Sequence, residues 1–171
     1  MPRSTIEIES GDVPQAPSLA RIRCVITAAG EGAGTIEQIA EETDISARHV
    51  GYALRAAQTL GLLDRGRAPT PLGRVLLATE QESPEETAAF RKSIEESAIM
   101  RAIAPALLSA KPPTKKTLAT RIEKLSGLSK ATAEHRAWDL LSWREQILEL
   151  STAPAEATPP APVEDATPAP E

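Results

Sequence analysis

The chain has 171 residues, of which 24 are acidic, 19 are basic, one is cysteine and two are histidine. This length suits one or two small domains. No stretch is long and apolar enough to span a membrane, and residues 1–10 lack the apolar core of a signal peptide. We therefore expect a cytoplasmic protein without a membrane partner. One cysteine excludes an intrachain disulfide and a cysteine-based zinc site, so we expect neither a metal nor a cofactor.

Charge is unevenly distributed along the chain. Residues 151–171 carry four acids, six prolines and no base, which is typical of a disordered acidic tail rich in Pro and Ala. Residues 1–17 carry one base and three acids and are interpreted as a flexible segment. Between these ends, the net charge is +4 over 45–78, −4 over 79–97 and +6 over 101–130. The overall charge of −5 therefore conceals two basic blocks.

Apolar spacing and capping residues predict a mainly helical chain. Residues 19–29 place apolar side chains at helical spacing before a glycine-rich run. Thr35 opens a second helix with a capping box, and Ser46 caps a third helix. Residues 62–70 suit a small β-hairpin, and Pro71 stands at the first position of another helix.

Helices followed by a basic hairpin resemble a winged helix-turn-helix domain over residues 18–78. The phrases that carry the resemblance, together with Val50 and Leu54, are Thr35-Ile-Glu-Gln-Ile-Ala-Glu-Glu-Thr-Asp-Ile-Ser46, Leu60-Gly-Leu-Leu63 and Thr70-Pro-Leu-Gly73. The resemblance implies that the third helix is a DNA recognition helix and that the hairpin is a β-wing.

The third helix carries a basic face opposite its apolar stripe. At ~100° per residue, Arg48, Tyr52 and Arg55 fall on the side away from the core. Guanidinium groups suit phosphates and the guanine edge, and a tyrosine can reach phosphate. His49 is interpreted as a flanking polar contact and not as a metal ligand, because His135 is its only possible imidazole partner. This face is the predicted DNA reader; the alternative is that its arginines only solvate the surface.

Two further basic side chains stand in the predicted hairpin. Arg65 and Arg67 flank Gly66 at its tip, where they would enter a minor groove or contact the DNA backbone. Beyond the hairpin, residues 79–110 are predicted to form a long connecting helix, opened by a capping box at Ser83.

Residues 111–150 repeat the earlier pattern in a degenerate form, which predicts a second helix-turn-helix without a wing; chance similarity of capped helices is the alternative. The outward face of its last helix, which includes His135 and Asp139, is a poor phosphate reader. Nonspecific backbone contacts are instead expected from the basic residues around the helix starts, Lys115, Lys116, Arg121, Lys124 and Lys130.

Two tryptophans flank the apolar stripe of this last helix. Trp138 and Trp143 lie on opposite sides of the stripe, so at least one stands at an edge where it could pack against the first domain or a second subunit. The phrase Ser129-Lys-Ala-Thr-Ala-Glu-His-Arg136, followed by Trp143, is similar to one in poorly characterised prokaryotic winged-helix modules, some of them attached to restriction or nuclease systems.

No catalytic constellation is recognisable, since residues 30–35 lack the lysine of a phosphate-binding loop and no His-centred triad stands out. The predicted fold is mainly α: a winged helix-turn-helix with a small β-wing, a long connecting helix and a second, degenerate helix-turn-helix. We expect a non-enzymatic protein that binds double-stranded DNA, sequence-specifically or as an accessory factor, in transcription regulation. The alternative is a tandem winged-helix module whose partner, a protein or a second copy, contacts the long helix and Trp138 or Trp143.

Overall fold

The structure is a computed structural model that describes residues 6–152. In that part of the chain a short 3-10 helix, Ser10–Asp12, precedes eight α-helices. The helices are α1 (Leu19–Gly30), α2 (Ile36–Thr43), α3 (Ala47–Thr59), α4 (Pro71–Leu77), α5 (Pro84–Glu96), α6 (Ala98–Ile103), α7 (Lys115–Ser126) and α8 (Lys130–Thr152). The prediction of a mainly helical chain is confirmed. The acidic tail predicted for 151–171 lies outside the described residues from 153 onward.

Side-chain caps begin the helices at the positions that the sequence indicated. Thr35 Oγ1 accepts a hydrogen bond from the Gln38 backbone N–H at 3.1 Å, and Gln38 Oε1 accepts one from the Thr35 N–H at 3.2 Å. Ser46 Oγ accepts from the His49 N–H at the start of α3, and Ser83 Oγ accepts from the Glu86 N–H at the start of α5. The return bond of the capping box predicted at Ser83 is replaced by one from the Glu82 N–H to Glu86 Oε2. These bonds satisfy N–H groups that a helix leaves without partners in its first turn, so the caps fix where each helix starts.

The β-wing predicted for residues 62–70 is wrong, because no strand forms in the described part of the chain. The segment is a tight turn with one isolated antiparallel bridge between Leu63 and Pro69. The Ala68 N–H donates to the Asp64 carboxylate at 2.9 Å, so this donor does not pair with the opposite backbone. Pro69 has no N–H to offer. Two backbone bonds still join the arms, from the Asp64 N–H to the Ala68 carbonyl (2.9 Å) and from the Thr70 N–H to the Leu62 carbonyl (3.1 Å), so the pairing is limited to this one bridge and does not extend into strands.

The single long helix predicted within residues 79–110 is also wrong, because it divides at Ser97 into α5 and α6. Ser97 is extended, with φ −64° and ψ 121°. Its Oγ accepts from the Met100 N–H at 3.2 Å and donates to the Thr59 carbonyl at 2.7 Å. A serine that bonds to neighbouring backbone competes with helix continuation. Here it caps α6 and ties the break to the end of α3.

Residues 6–17, which composition led us to interpret as flexible, pack between α3 and α8. Val13 is 1% exposed and belongs to the hydrophobic core. Hydrogen bonds from α3 and α8 hold the segment: Thr59 Oγ1 to the Asp12 carbonyl (3.0 Å), Arg136 Nη1 to the Val13 carbonyl (2.8 Å), Trp143 Nε1 to the Ala16 carbonyl (2.7 Å) and Gln146 Nε2 to the Pro17 carbonyl (2.7 Å). The segment thereby joins α3 in the first half of the chain to α8 in the second half, and the buried side chains of both halves form one continuous cluster.

A buried arginine holds α1 against the helices that follow the turn. Arg23 donates from Nη1 to the Leu76 carbonyl at 2.7 Å and from Nη2 to the Thr79 carbonyl at 3.0 Å. Its Nη1 also lies 3.3 Å from Glu86 Oε1, and both side chains of this ion pair are buried. The guanidinium thus satisfies carbonyls at the end of α4 and fixes α5 beside α1.

The second half contains the two capped helices expected from the sequence. Gly127 ends α7 with φ +70°, a conformation that suits glycine, and Ser129 Oγ accepts from the Thr132 N–H at 3.3 Å at the start of α8. Trp143 is fully buried in the core, whereas Trp138 is 53% exposed. No helix in the described residues has the length and apolar character needed to cross a membrane.

Candidate nucleic-acid interface

Three side chains in the first turns of α3 form one cluster, called here the α3 cluster: Arg48, His49 and Tyr52. Arg48 Nε donates to Tyr52 Oη at 2.7 Å, and the guanidinium carbon lies 5.6 Å from the centre of the tyrosine ring. The His49 and Tyr52 rings meet edge to face with centroids 6.0 Å apart. His49 Nδ1 shares a hydrogen bond of 2.7 Å with Ser46 Oγ. The cap of the helix and the tyrosine therefore hold both basic side chains in place.

The α3 cluster presents an uncompensated positive charge to solvent. Arg48 and His49 are exposed, and Tyr52 is half-buried. The hydrogen bond from Arg48 to Tyr52 raises the pKa of the arginine above its ordinary value, so the guanidinium stays charged. Within residues 6–152 no acidic group lies at ion-pair distance from Arg48, and its two Nη groups have no partner. They are therefore available to a phosphate or a base edge.

The second half of α3 has a different electrostatic environment. Arg55 Nη2 lies 3.9 Å from Asp12 Oδ1, and the arginine side chain is 54% exposed. Thr59, which helical spacing places on the same face, is bonded to the Asp12 carbonyl. The outward face of α3 has no carboxylate of its own, but the fold brings one to it from the N-terminal segment.

An open groove of about 1080 Å³ runs beside this half of α3. The N-terminal segment contributes three acidic side chains to its lining, Glu7, Glu9 and Asp12. α3 and the turn contribute three arginines, Arg55, Arg65 and Arg67, and the turn adds a fourth acid, Asp64. A groove lined by both acids and arginines is less attractive to phosphate than an entirely basic groove.

The two arginines of the predicted wing are placed differently from one another. Arg65 is exposed in the turn. Arg67 has φ +66° and donates from Nη1 to the Gly34 carbonyl at 3.3 Å, so its side chain lies against the loop between α1 and α2. Without a strand to carry them outward, the pair does not form a projecting clamp.

A second basic surface lies on α7 and at the start of α8. Lys116 and Lys124 point away from buried Leu118 and Ile122 and are exposed. Arg121 is exposed too, although its Nε donates to the Ala102 carbonyl. Lys115 and Lys130 are exposed at the first residues of the two helices. In the described part of the chain, none of these five side chains forms an ion pair.

Asp139 departs from its predicted position on an outward face of α8. It is 1% exposed, and neither carboxylate oxygen has a hydrogen-bond partner in the described residues. Burial raises the pKa of Asp139, while the charges of His135 and Arg136 act in the opposite direction. Arg136 is half-buried, and burial lowers its pKa. The spacing of His135, Arg136 and Asp139 on α8 was visible in the sequence. The packing of the N-terminal segment against α8, where Arg136 is hydrogen-bonded to the Val13 carbonyl, was not.

Comparisons with known proteins add no assignment, since no family model, curated protein or solved structure matches this chain. Residues 6–152 also contain no group of three or more His, Cys, Asp or Glu side chains arranged to hold a metal ion. The functional proposal therefore depends on the geometry of the α3 cluster and of the second basic surface.

Proposed function

We propose that this protein binds double-stranded DNA through the α3 cluster and acts as a regulator or accessory factor in transcription. The observation that carries the proposal is the positioned Arg48 guanidinium, with two unpartnered Nη groups among the described residues, beside His49 and Tyr52. In helix-turn-helix proteins the first residues of the recognition helix contact the base edges. A guanidinium held at that position can read a guanine or grip a phosphate.

The second basic surface supports the same proposal by a different kind of contact. Lysines such as Lys116 and Lys124 bind phosphates without distinguishing sequence, and each phosphate contact makes binding more sensitive to salt. We assign sequence discrimination to the α3 cluster and nonspecific affinity to the second basic surface.

Fluorescence anisotropy with a labelled random-sequence duplex at several salt concentrations tests this assignment. Lys116→Ala with Lys124→Ala should weaken binding and flatten the log-log salt slope by ~0.9 for each phosphate that the variant no longer neutralises. Arg21→Ala with Arg74→Ala provides a control of equal charge change, because both arginines are exposed outside the two proposed surfaces. Failure of the unmodified protein to bind duplex at low salt would refute the proposal.

A tandem helix-turn-helix module that binds a protein is the second candidate, and one observation favours it. Trp138 exposes about half of its surface on α8, and a large exposed aromatic side chain is typical of protein interfaces. Trp143, the other tryptophan considered as a partner contact, is buried in the core and is therefore not accessible to a partner. Sedimentation analysis should then show self-association or partner binding that Trp138→Ala abolishes while duplex binding is unchanged.

A further inference from the structure

We infer that residues 6–17 form an autoinhibitory strap, in which Glu7, Glu9 and Asp12 compete with DNA for the basic groups beside the second half of α3. This inference rests on the proposed function, because the strap limits how much of the α3 face a duplex can contact. It divides that face into an open part, the α3 cluster, and a masked part around Arg55.

The strap has a firmly held part and a weakly held part. Its second part, residues 12–17, is fixed by buried Val13 and by bonds from Thr59, Arg136 and Trp143 to backbone carbonyls. Its first part, residues 6–11, places exposed Glu7 and Glu9 along the groove and buries one apolar side chain, Ile8, which is 9% exposed. The first part can therefore leave the groove while the second part stays in place.

Arg55 is the point at which the strap touches the basic face. Its Nη2 lies 3.9 Å from Asp12 Oδ1, and a Cβ atom added at Gly11 would lie 2.5 Å from the same nitrogen. The guanidinium thus rests against the strap at a position where any side chain would displace it. A duplex phosphate that approached Arg55 would have to replace Asp12.

The Asp12 side chain also fixes the local conformation of the strap. The Glu9 N–H donates to Asp12 Oδ2 at 2.9 Å, and the Asp12 N–H donates to the Glu9 carbonyl at 3.0 Å. An asparagine at position 12 retains an acceptor for the first bond and removes the charge. Neutral variants of the strap can therefore test its charge without removing its fold.

The experiment compares the salt dependence of duplex binding in two triple variants with equal changes of charge. The strap variant is Glu7→Gln, Glu9→Gln and Asp12→Asn. The control is Glu80→Gln, Glu85→Gln and Glu145→Gln, whose exposed acids lie outside the groove and form no ion pair among the described residues. Release of Arg55 from Asp12 should tighten duplex binding by the strap variant about 10-fold relative to the control at low salt and steepen its log-log salt slope by ~0.9, the value for one added phosphate contact.

Two further variants connect the gain in affinity to its cause. Ile8→Ser should also tighten binding, because it weakens the apolar contact of the first part of the strap without changing any charge. Adding Arg55→Ala and Arg65→Ala to the strap variant should abolish the gain. Urea denaturation should confirm that each protein remains folded.

The inference and the proposed function fail in different ways. If the unmodified protein binds duplex but the strap and control variants have equal affinity and slope, the strap does not compete with DNA and only the inference is overturned. The inference is likewise overturned if the gain persists without Arg55 and Arg65. If no variant binds duplex at low salt, the proposed function is overturned and the inference falls with it.

Discussion

Two arginines on one face of α3 should contribute unequally to DNA binding. Arg48 is exposed and its two Nη groups have no partner in residues 6–152, whereas Arg55 is paired with Asp12 at 3.9 Å. We expect Arg48→Ala to cost about 1–3 kcal/mol of binding free energy, or about 5- to 150-fold in Kd, if the guanidinium makes a bidentate contact with a base. Arg55→Ala should cost less, because a phosphate that binds Arg55 has to compete with the Asp12 carboxylate beside it.

The comparison separates binding from folding because both arginines lie outside the core. Substitutions of exposed side chains usually change the free energy of unfolding by less than about 0.5 kcal/mol. Urea denaturation should therefore give similar stabilities for both variants. Fluorescence anisotropy with a duplex at two salt concentrations then measures the decrease in affinity. Arg21→Ala is the matched control, since Arg21 is exposed on α1 outside both proposed surfaces.

Two results would contradict this reasoning. A decrease in affinity for Arg48→Ala no larger than that for Arg21→Ala would show that the α3 cluster does not contact DNA. A larger decrease for Arg55→Ala than for Arg48→Ala would show that the Asp12 carboxylate does not limit the second half of the face.

Three substitutions in the core should change stability as measured by urea denaturation. Asp139→Asn should stabilise the protein by about 1–3 kcal/mol at neutral pH, because it removes a buried charge that has no hydrogen-bond partner among the described residues. Burial raises the pKa of Asp139, so the folded protein keeps the proton on this carboxyl group to a higher pH than the unfolded chain does. Asp139 therefore lowers the stability of the natural protein as pH rises from about 4 through the raised pKa. The Asp139→Asn variant should lack this pH dependence. Trp143→Phe should cost about 1–3 kcal/mol, because it leaves the buried Ala16 carbonyl without its donor. Arg23→Met should cost about 3–5 kcal/mol, because Glu86 then stays buried without its charge partner; a variant as stable as the natural protein would contradict the role assigned to this ion pair.

Local signals in the sequence were sufficient to predict where several helices begin. Thr35, Ser46 and Ser83 each cap the helix that follows, because the capping bond joins residues three positions apart. The break at Ser97 combines a local bond to the Met100 N–H with a tertiary bond to the carbonyl at the end of α3. The second bond depends on the packing of distant elements, so helical spacing alone predicted a continuous helix through this position.

The prediction of a β-wing was wrong because residues 62–70 are compatible with two different backbone conformations. A glycine between basic residues is compatible with a hairpin and also with a tight turn. The choice depends on whether the Ala68 N–H pairs with the opposite strand or with the Asp64 carboxylate, and it donates to the carboxylate. The resemblance to winged helix-turn-helix domains favoured the hairpin, because such domains have a wing at this position. The residues themselves do not require a hairpin.

The sequence predicted the part of the candidate site that lies on α3 alone. It did not predict the part that depends on how the N-terminal segment packs against α3. Helical geometry placed Arg48 and Tyr52 on one outward face, and the structure joins them by a hydrogen bond. The position of Asp12 against Arg55 follows from the packing of Val13 into the core, which composition did not indicate.

The placement of charge in this fold shows why the overall charge of −5 is a poor guide to its partners. Charges separated by more than about 10 Å are largely screened at ordinary salt, so a phosphate responds to the groups nearest to it. Near Arg48 those groups are a histidine and a tyrosine, whereas near Arg55 they include the Asp12 carboxylate. Arginines that are equivalent on a helical projection therefore differ in their capacity to bind an anion. That difference is set by a segment of the chain that precedes α1 and is far from α3 in the sequence.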